Sequence, residues 1–516
     1  MSLPPESIVQ PAVSTAATPA QNSRISALFN RQHTAGSAAI LLMLSALSSG
    51  LLGLLRVRII NSYWGAGWEQ DAYQAAFKLP DLLSYFLIGG AASISVILTT
   101  MLVVLGIGVA LAEIFAPQYV LLAYKGFRTQ PATAALCVKM TRIILPAQIF
   151  FFIGSVMGSR LQVRKIFIYQ AFAQPLYPLG IICGALFLHR QLGISSLAYG
   201  VVAGMFAGYG LLNSLGAFRT GLRFHPIVGF RDPAFVEWLH LSFPLMVGVS
   251  LVMFDGIFLG YYASVLRGGN TLVSNAKILF SAPFNVIGPA AGAASLPFFA
   301  SLYQQKRAFD FSAAVGRAVS RLFAVGMLVS AWMIALAPWL MDLFRGGRFT
   351  RADAATLSQL FAILSVTLAI WAVQGIYARA FYAASDTKTP AITGTVITVL
   401  SVPMYAALFH AVGLRGLVIA SDLGILAQTA ALAVLLHRKR LASFADLEFG
   451  ELGRALLAAL VAFAATAGIT RFLPGVSSHA KDVLTIGVAS LVWAGVAAAV
   501  LLATGSKLPK QILRRR

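Results

Sequence analysis

The sequence predicts an all-α polytopic membrane protein of about 14 transmembrane helices, built as two six-helix lobes related by an internal repeat and followed by a C-terminal helix pair. Three observations carry that expectation. Of 516 residues, 58% are hydrophobic and only 11% are charged, whereas soluble domains carry charge on about a quarter of their residues. Apolar runs of about 20 residues recur along the chain, each long enough to cross a hydrocarbon core of roughly 30 Å. A proline-to-small-residue pattern also occurs twice. A β-barrel is excluded, since it would show segments of about ten residues with alternating polarity.

Residues 1–36 stand apart. They are rich in Ser, Pro, Ala, Thr and Gln, and their first basic residue is Arg24. The charged start and apolar centre of a cleaved signal peptide are missing, so the segment reads as a disordered cytoplasmic tail. The apolar runs then predict helices at 37–60, 78–100, 101–123, 139–160, 171–188 and 195–217. A second set follows at 239–262, 278–303, 315–344, 356–378, 389–411 and 414–437, and a last pair at 453–473 and 483–504. The division is 37–225 for the N-terminal lobe, 226–440 for the C-terminal lobe, and 441–516 for the final helix pair with its basic tail.

Basic clusters orient the bundle. Arg160, Arg164 and Lys165, then Lys306, Arg307, Arg317 and Arg321, the run from His437 to Arg440, and the tail Arg514 to Arg516 all fall on one side. Placing that side in the cytoplasm satisfies the positive-inside bias and puts both termini there. Because the clusters sit at helix ends, the net charge of +22 reads as topology and headgroup contact, and no nucleic-acid partner is expected. Cys137 and Cys183 lie in or beside apolar runs and read as small buried hydrophobes.

The repeat is visible in Phe77-Lys78-Leu79-Pro80 followed by Gly89-Gly90-Ala91-Ala92-Ser93, and again in Phe280-Ser281-Ala282-Pro283 followed by Gly292-Ala293-Ala294-Ser295. Such duplicated plans place a substrate site between the lobes and expose it by rocking. Small residues at helix contacts also serve close packing. Measured from each proline to the matching arginine, Arg160 or Arg379, the first half is roughly 16 residues shorter. The shortfall falls between the second and third predicted helices. The two join either by a tight turn near Thr99-Thr100 or across a deleted loop.

Four stretches carry a family resemblance. Asp71-Ala72-Tyr73-Gln74-Ala75-Ala76-Phe77-Lys78-Leu79-Pro80-Asp81 resembles the D-A-F-x-x-A-F-K-[IL]-P-N signature of the MurJ/MviN family. Residues 343–350 (LFRGGRFT), 378–390 (ARAFYAASDTKTP) and 171–175 (AFAQP) match it too. The resemblance implies a fourteen-helix flippase of the MOP superfamily in the bacterial inner membrane. Its expected cargo is lipid II, the polyprenyl-pyrophosphate-linked peptidoglycan precursor, carried from the inner to the outer leaflet for cell-wall biogenesis and cell shape. The expected partners are that lipid-linked glycan and membrane lipids, with the chain monomeric. A pyrophosphate stripped of water calls for cations in the cleft, and the planar fork of arginine suits it.

The chain departs from the family pattern at several of those cations. The family's first-helix S-R-x-x-G-x-x-R becomes Ser49-Gly50-Leu51-Leu52-Gly53-Leu54-Leu55-Arg56. Ser84 stands where an arginine is usual, Gly89 where a glutamate is usual, and Ile278 where the later helix carries an arginine, with Lys277 beside it. A flippase for another lipid-linked glycan, an exporter of the related multidrug (MATE) type and a non-transporting paralogue therefore stay open as alternatives.

Arg56, Lys78 and Lys277 are the candidate cleft cations, each with snorkelling at a helix end as the plainer reading. Asp71 is a candidate for the outer gate, as an N-cap or as a partner for Arg56. Asp255, mid-helix, is a candidate Na⁺ or H⁺ site, since a charged carboxylate there costs roughly 2.5–3.5 kcal/mol on insertion scales. Its alternative is a protonated acid bonded to a neighbouring helix. Gln374 is the next polar candidate. No cofactor is expected beyond Na⁺ or H⁺ as a coupling ion. No enzyme is predicted, because neither an H-E-x-x-H motif nor a phosphate-binding loop occurs and the loops supply few acids for a metal-dependent glycosyltransferase.

Overall fold

Ala35–Trp64 forms α1, 30 residues or about 45 Å at helical rise. The computed structural model describes residues 35–85, 94–222, 224–233, 235–236, 251–473, 475–476 and 478–509, so most of the expected tail, 1–34, lies outside the described residues. After α1 come α2 (Trp68–Ala76), α3 (Lys78–Tyr85), α4 (Ile94–Ala123), α5 (Pro131–Ile144), α6 (Ala147–Val163), α7 (Ile168–Cys183), α8 (Ser195–Met205) and α9 (Asn213–Arg219). The second half holds α10 (Leu251–Ala263), α11 (Gly269–Gln304), α12 (Ala308–Asp342), α13 (Arg351–Val366), α14 (Leu368–Ala383), α15 (Lys388–Val412) and α16 (Leu414–Arg438). The closing pair is α17 (Phe449–Ile469) and α18 (His479–Ala503).

The chain folds as an all-helical two-lobe bundle. Among the described residues, ten helices are long and apolar enough to cross a membrane, or eleven if the pair α13 and α14, bent by 43°, counts as one span. The expected count of 14 is therefore not reached among them. Inside each lobe the packing uses small residues, because lipid tails offer no hydrophobic drive toward association. A Cβ on Gly180 of α7 would lie 2.5 Å from the Gly200 carbonyl oxygen of α8, so only glycine permits that approach. The closing pair packs on α12, and Trp332 Nε1 donates to Ser490 Oγ at 2.9 Å.

Several expected boundaries move. Thr99 and Thr100 do not form a turn: both lie inside the continuous helix α4. Thr100 is buried, and its hydroxyl accepts from Gly229 N at 2.9 Å. The stretch that joins α3 to α4, 86–93, lies outside the described residues. Apolar composition alone could not fix it, because the run from Leu82 onward has no polar break. The helix expected at 278–303 begins at Gly269, since its polar first turns are satisfied by the other lobe rather than by water. Of the two cysteines, Cys137 is buried as expected, but Cys183 is exposed on the outer surface of the bundle, where an apolar environment means lipid.

The motifs behind the resemblance prove to be turns, caps and contacts between helices. In 343–350, Thr350 and Asp353 make a reciprocal capping box that starts α13. Gly347, at φ +53, lies so close to α1 that a Cβ would stand 2.0 Å from the Ser62 carbonyl oxygen. In 378–390, Asp386 accepts from Thr389 N at 3.0 Å and Thr389 Oγ1 at 2.7 Å, and pairs with Lys439. Burial would raise the Asp386 carboxyl, but these bonds outweigh it and hold it below its ordinary value. In 171–175, Ser49 Oγ of α1 donates to the Gln174 carbonyl oxygen at 3.3 Å. Asp71, in the fourth motif, joins the lobes.

Candidate functional site

The two lobes meet at the end of the bundle that carries the 64–68 and 264–268 turns, where α11 touches α1 and α2 and α10 touches the 125–129 turn. Asp71 is the centre of that clasp. Its carboxylate accepts from Gly268 N at 2.7 Å, Thr271 N at 2.8 Å and Thr271 Oγ1 at 2.8 Å, and it is 1% exposed. These donors are the free amides at the start of α11, which also presents the positive end of its dipole. Asp71 thus caps a helix of the opposite lobe. It does not cap its own helix, whose N-cap is Gly67 with no side-chain bond, and among the described residues its hydrogen bonds go to the start of α11 rather than to Arg56.

Beneath Asp71 an amide network continues the closure. Asn61 Oδ1 accepts from Gln70 Nε2 and from Asn275 Nδ2, both at 2.9 Å, and Gln74 Nε2 reaches Asn275 Oδ1 at 3.4 Å. Arg348 N donates to the Ser62 carbonyl at 2.9 Å, and Arg58 Nη1 to that of Leu343 at 2.6 Å. Composition gave no signal for these amides. Their role comes from three helix ends meeting, and each amide is otherwise an ordinary polar residue near a loop.

Below the network lies a cavity of about 270 Å³ lined by Arg56, Lys78, Lys277 and Asp81, with Tyr73, Tyr177 and Asn275 among its walls. Arg56 stands eight residues before the end of α1 and Lys277 eight after the start of α11, so both lie about 12 Å below the clasp. The Arg56 guanidinium sits 5.9 Å from the Tyr177 ring centroid. Lys78 crosses the gap between lobes: a Cβ on Gly256 of α10 would be 2.8 Å from Lys78 Nζ. The three expected cations are thus brought to one cavity. Ile278 also lines it, and a Cβ at Gly50 would meet nothing within 4 Å. Gly89 and the side chain of Ser84 lie outside the described residues.

Asp255 is 3% exposed and both its oxygens are engaged. Lys277 Nζ forms an ion pair with Oδ2, and Tyr405 OH of α15 donates to Oδ1. Lys277 also stands 5.3 Å from the Trp371 ring centroid. Nearby, at the bend between α13 and α14, Thr367 Oγ1 donates to Asp422 of α16. Asp422 was not singled out from the sequence, although the criterion that flagged Asp255, an acid within an apolar helix, applies equally to it. Gln374 lies on α14, half-buried.

Two helical lobes, clasped at one end over a cavity that both of them line, define a two-lobe membrane transporter. A family model described as "Lipid II flippase MurJ" matches residues 91–489, and the chain belongs to that family. It is a multi-pass bacterial membrane protein. Relatives named as lipid II flippase MurJ or probable lipid II flippase MurJ include those of Burkholderia cenocepacia, 26% identical over 71% of this chain and 78% of the relative, and Haemophilus influenzae, 26% identical over 88% and 96%. Among solved structures, "Lipid II flippase MurJ, inward closed conformation" matches with a TM-score of 0.71 at 18% identity, covering 90% of this chain and all of that one. An inward-facing multidrug MATE transporter of the MOP superfamily matches at 0.57 and 16% identity, covering 78% and 94%. These likenesses are of fold.

Proposed function

We propose that this chain carries a polyprenyl-pyrophosphate-linked peptidoglycan precursor of the lipid II type from the inner to the outer leaflet by alternating access, breaking no bond. The single observation that supports this most is the convergence of Arg56, Lys78 and Lys277 on one cavity between the lobes. Three cations, one of them paired with Asp255 in this state, outnumber the acids and suit a diphosphate, and they argue against an exporter of cationic drugs, whose cleft would be acidic. In this reading the Asp71 clasp is the outer gate, closed here, and both termini lie in the cytoplasm.

Asp255 is the proposed coupling site for Na⁺ or H⁺, and Lys277 gives that role a mechanism. In the clasped state the ammonium already neutralises Asp255. An arriving diphosphate draws Lys277 toward the cavity and leaves a buried carboxylate, whose lone charge is costly until a proton or Na⁺ replaces the lysine. Headgroup and ion then favour the same state, as coupling requires.

The test is complementation of a bacterium depleted of its lipid II flippase. Growth on this chain supports the reading. Failure of a well-expressed, membrane-inserted protein sinks it for lipid II and leaves another lipid-linked glycan as cargo, which flipping assays with other polyprenyl-diphosphate glycans would find.

A further inference from the structure

The lipid-facing flank of the first lobe carries two cations that the transport cavity does not use. Lys139 and Arg142, both on α5 and both exposed, line a groove of about 620 Å³ between α4, α5 and α8, whose other walls include Pro117, Leu121, Val138, Ile143 and Tyr199. The surrounding surface is a lipid surface: Ile114, Phe115, Leu122 and Tyr199 are 62%, 55%, 71% and 45% exposed. Lys139 lies eight residues below the start of α5, about 12 Å from that helix end. Arg142 is held in place by its Nε, which donates to the Glu113 carbonyl oxygen at 3.1 Å, and the Glu113 carboxylate is within its electrostatic reach. Lys139 makes no hydrogen bond or ion pair among the described residues.

Glu113 answers one of these charges and leaves the other. A bare ammonium facing hydrocarbon is expensive, and the chemistry that relieves it at this depth is a lipid phosphate at the leaflet boundary. We propose that this groove is a binding site for an anionic glycerophospholipid of the leaflet at the clasped end. Its phosphate sits on Lys139 and Arg142, and its acyl chains run along Leu121, Val138 and Ile143. The site is separate from the cavity between the lobes and takes lipid as ligand, not as cargo.

The experiment uses the full chain in nanodiscs of mixed phosphatidylglycerol and phosphatidylcholine, with native mass spectrometry reading the lipids retained. The protein should keep phosphatidylglycerol in preference to phosphatidylcholine. Affinity for phosphatidylglycerol should fall about 25-fold in Lys139→Gln/Arg142→Gln, since each lost cation near a lipid surface weakens anionic-lipid binding about fivefold. Lys139→Arg should retain it. Arg471→Gln/Lys481→Gln removes two exposed charges elsewhere and should change nothing. If the double variant does not fold, Lys139→Gln alone, a change at an exposed side chain, carries the test with a loss of roughly fivefold. Equal retention of the two lipids, undiminished phosphatidylglycerol in the variants, an equal loss in the control, or displacement of the lipid by inorganic phosphate would each overturn the proposal.

Discussion

At the residue scale, the charges in the cavity have distinct tasks, and substitution separates them. Arg56 has an aromatic wall at its face and no ion pair with an acid among the described residues, so its charge is available to a diphosphate. Arg56→Ala is expected to abolish transport at normal expression, and Arg56→Lys to restore only part of it, because a point charge replaces a planar fork. Full flipping activity by Arg56→Ala in reconstituted vesicles would return Arg56 to a snorkelling role. Asp255 and Lys277 form a coupled pair. Lys277→Met strands a buried carboxylate and should destabilise the protein by roughly 3–5 kcal/mol, while Asp255→Asn/Lys277→Met should recover most of that. Melting temperatures of the four proteins close the cycle. Asp255→Asn alone should leave the protein folded while removing the dependence of transport on a Na⁺ or proton gradient. Unchanged gradient dependence would move the ion site elsewhere, with Asp422 the next acid to test.

At the element scale, the clasp depends on helix ends fitting together. Gly268 adopts φ +76, and a Cβ there would lie 2.4 Å from the Ala66 carbonyl oxygen, so Gly268→Ala is both strained and obstructed. Asp71→Asn acts on the same contact by weakening bonds that contribute roughly 1.5–3 kcal/mol when the acceptor is charged. Both substitutions should shift the population away from the clasped state by about tenfold. Spin labels at Arg128 and Val265, exposed positions on opposite lobes, would report longer distances. An unchanged distance distribution in both variants would show that the clasp is not the gate. The role of Asp71 was legible in part: an acid ahead of the Lys78-Leu79-Pro80 step suggested a cap. Which helix it caps was not, because the acceptor and its donors are about 200 residues apart in sequence.

At the scale of the whole molecule, orientation in the membrane sets the direction of transport. With the clasped end outside, a membrane-impermeant maleimide added to intact cells should label Ala352→Cys and spare Ala445→Cys, both exposed positions. The reverse pattern would invert the gate and the direction of cargo. What the sequence determined by itself was whatever is set locally. Span length and apolar content declare a helical membrane protein, and short motifs mark its family because they encode caps and tight turns over a few residues. The sequence also named Arg56, Lys78 and Lys277, since a cation in an apolar run is conspicuous wherever it points. Only the tertiary structure decided which polar groups face one another: Asp71 with the start of α11, Lys277 with Asp255, Asn61 with Gln70 and Asn275. All of those pairings cross from one helix to another, two of them over about 200 residues of chain, and burial makes them matter, because a polar group removed from water must find its partner wherever the fold brings one.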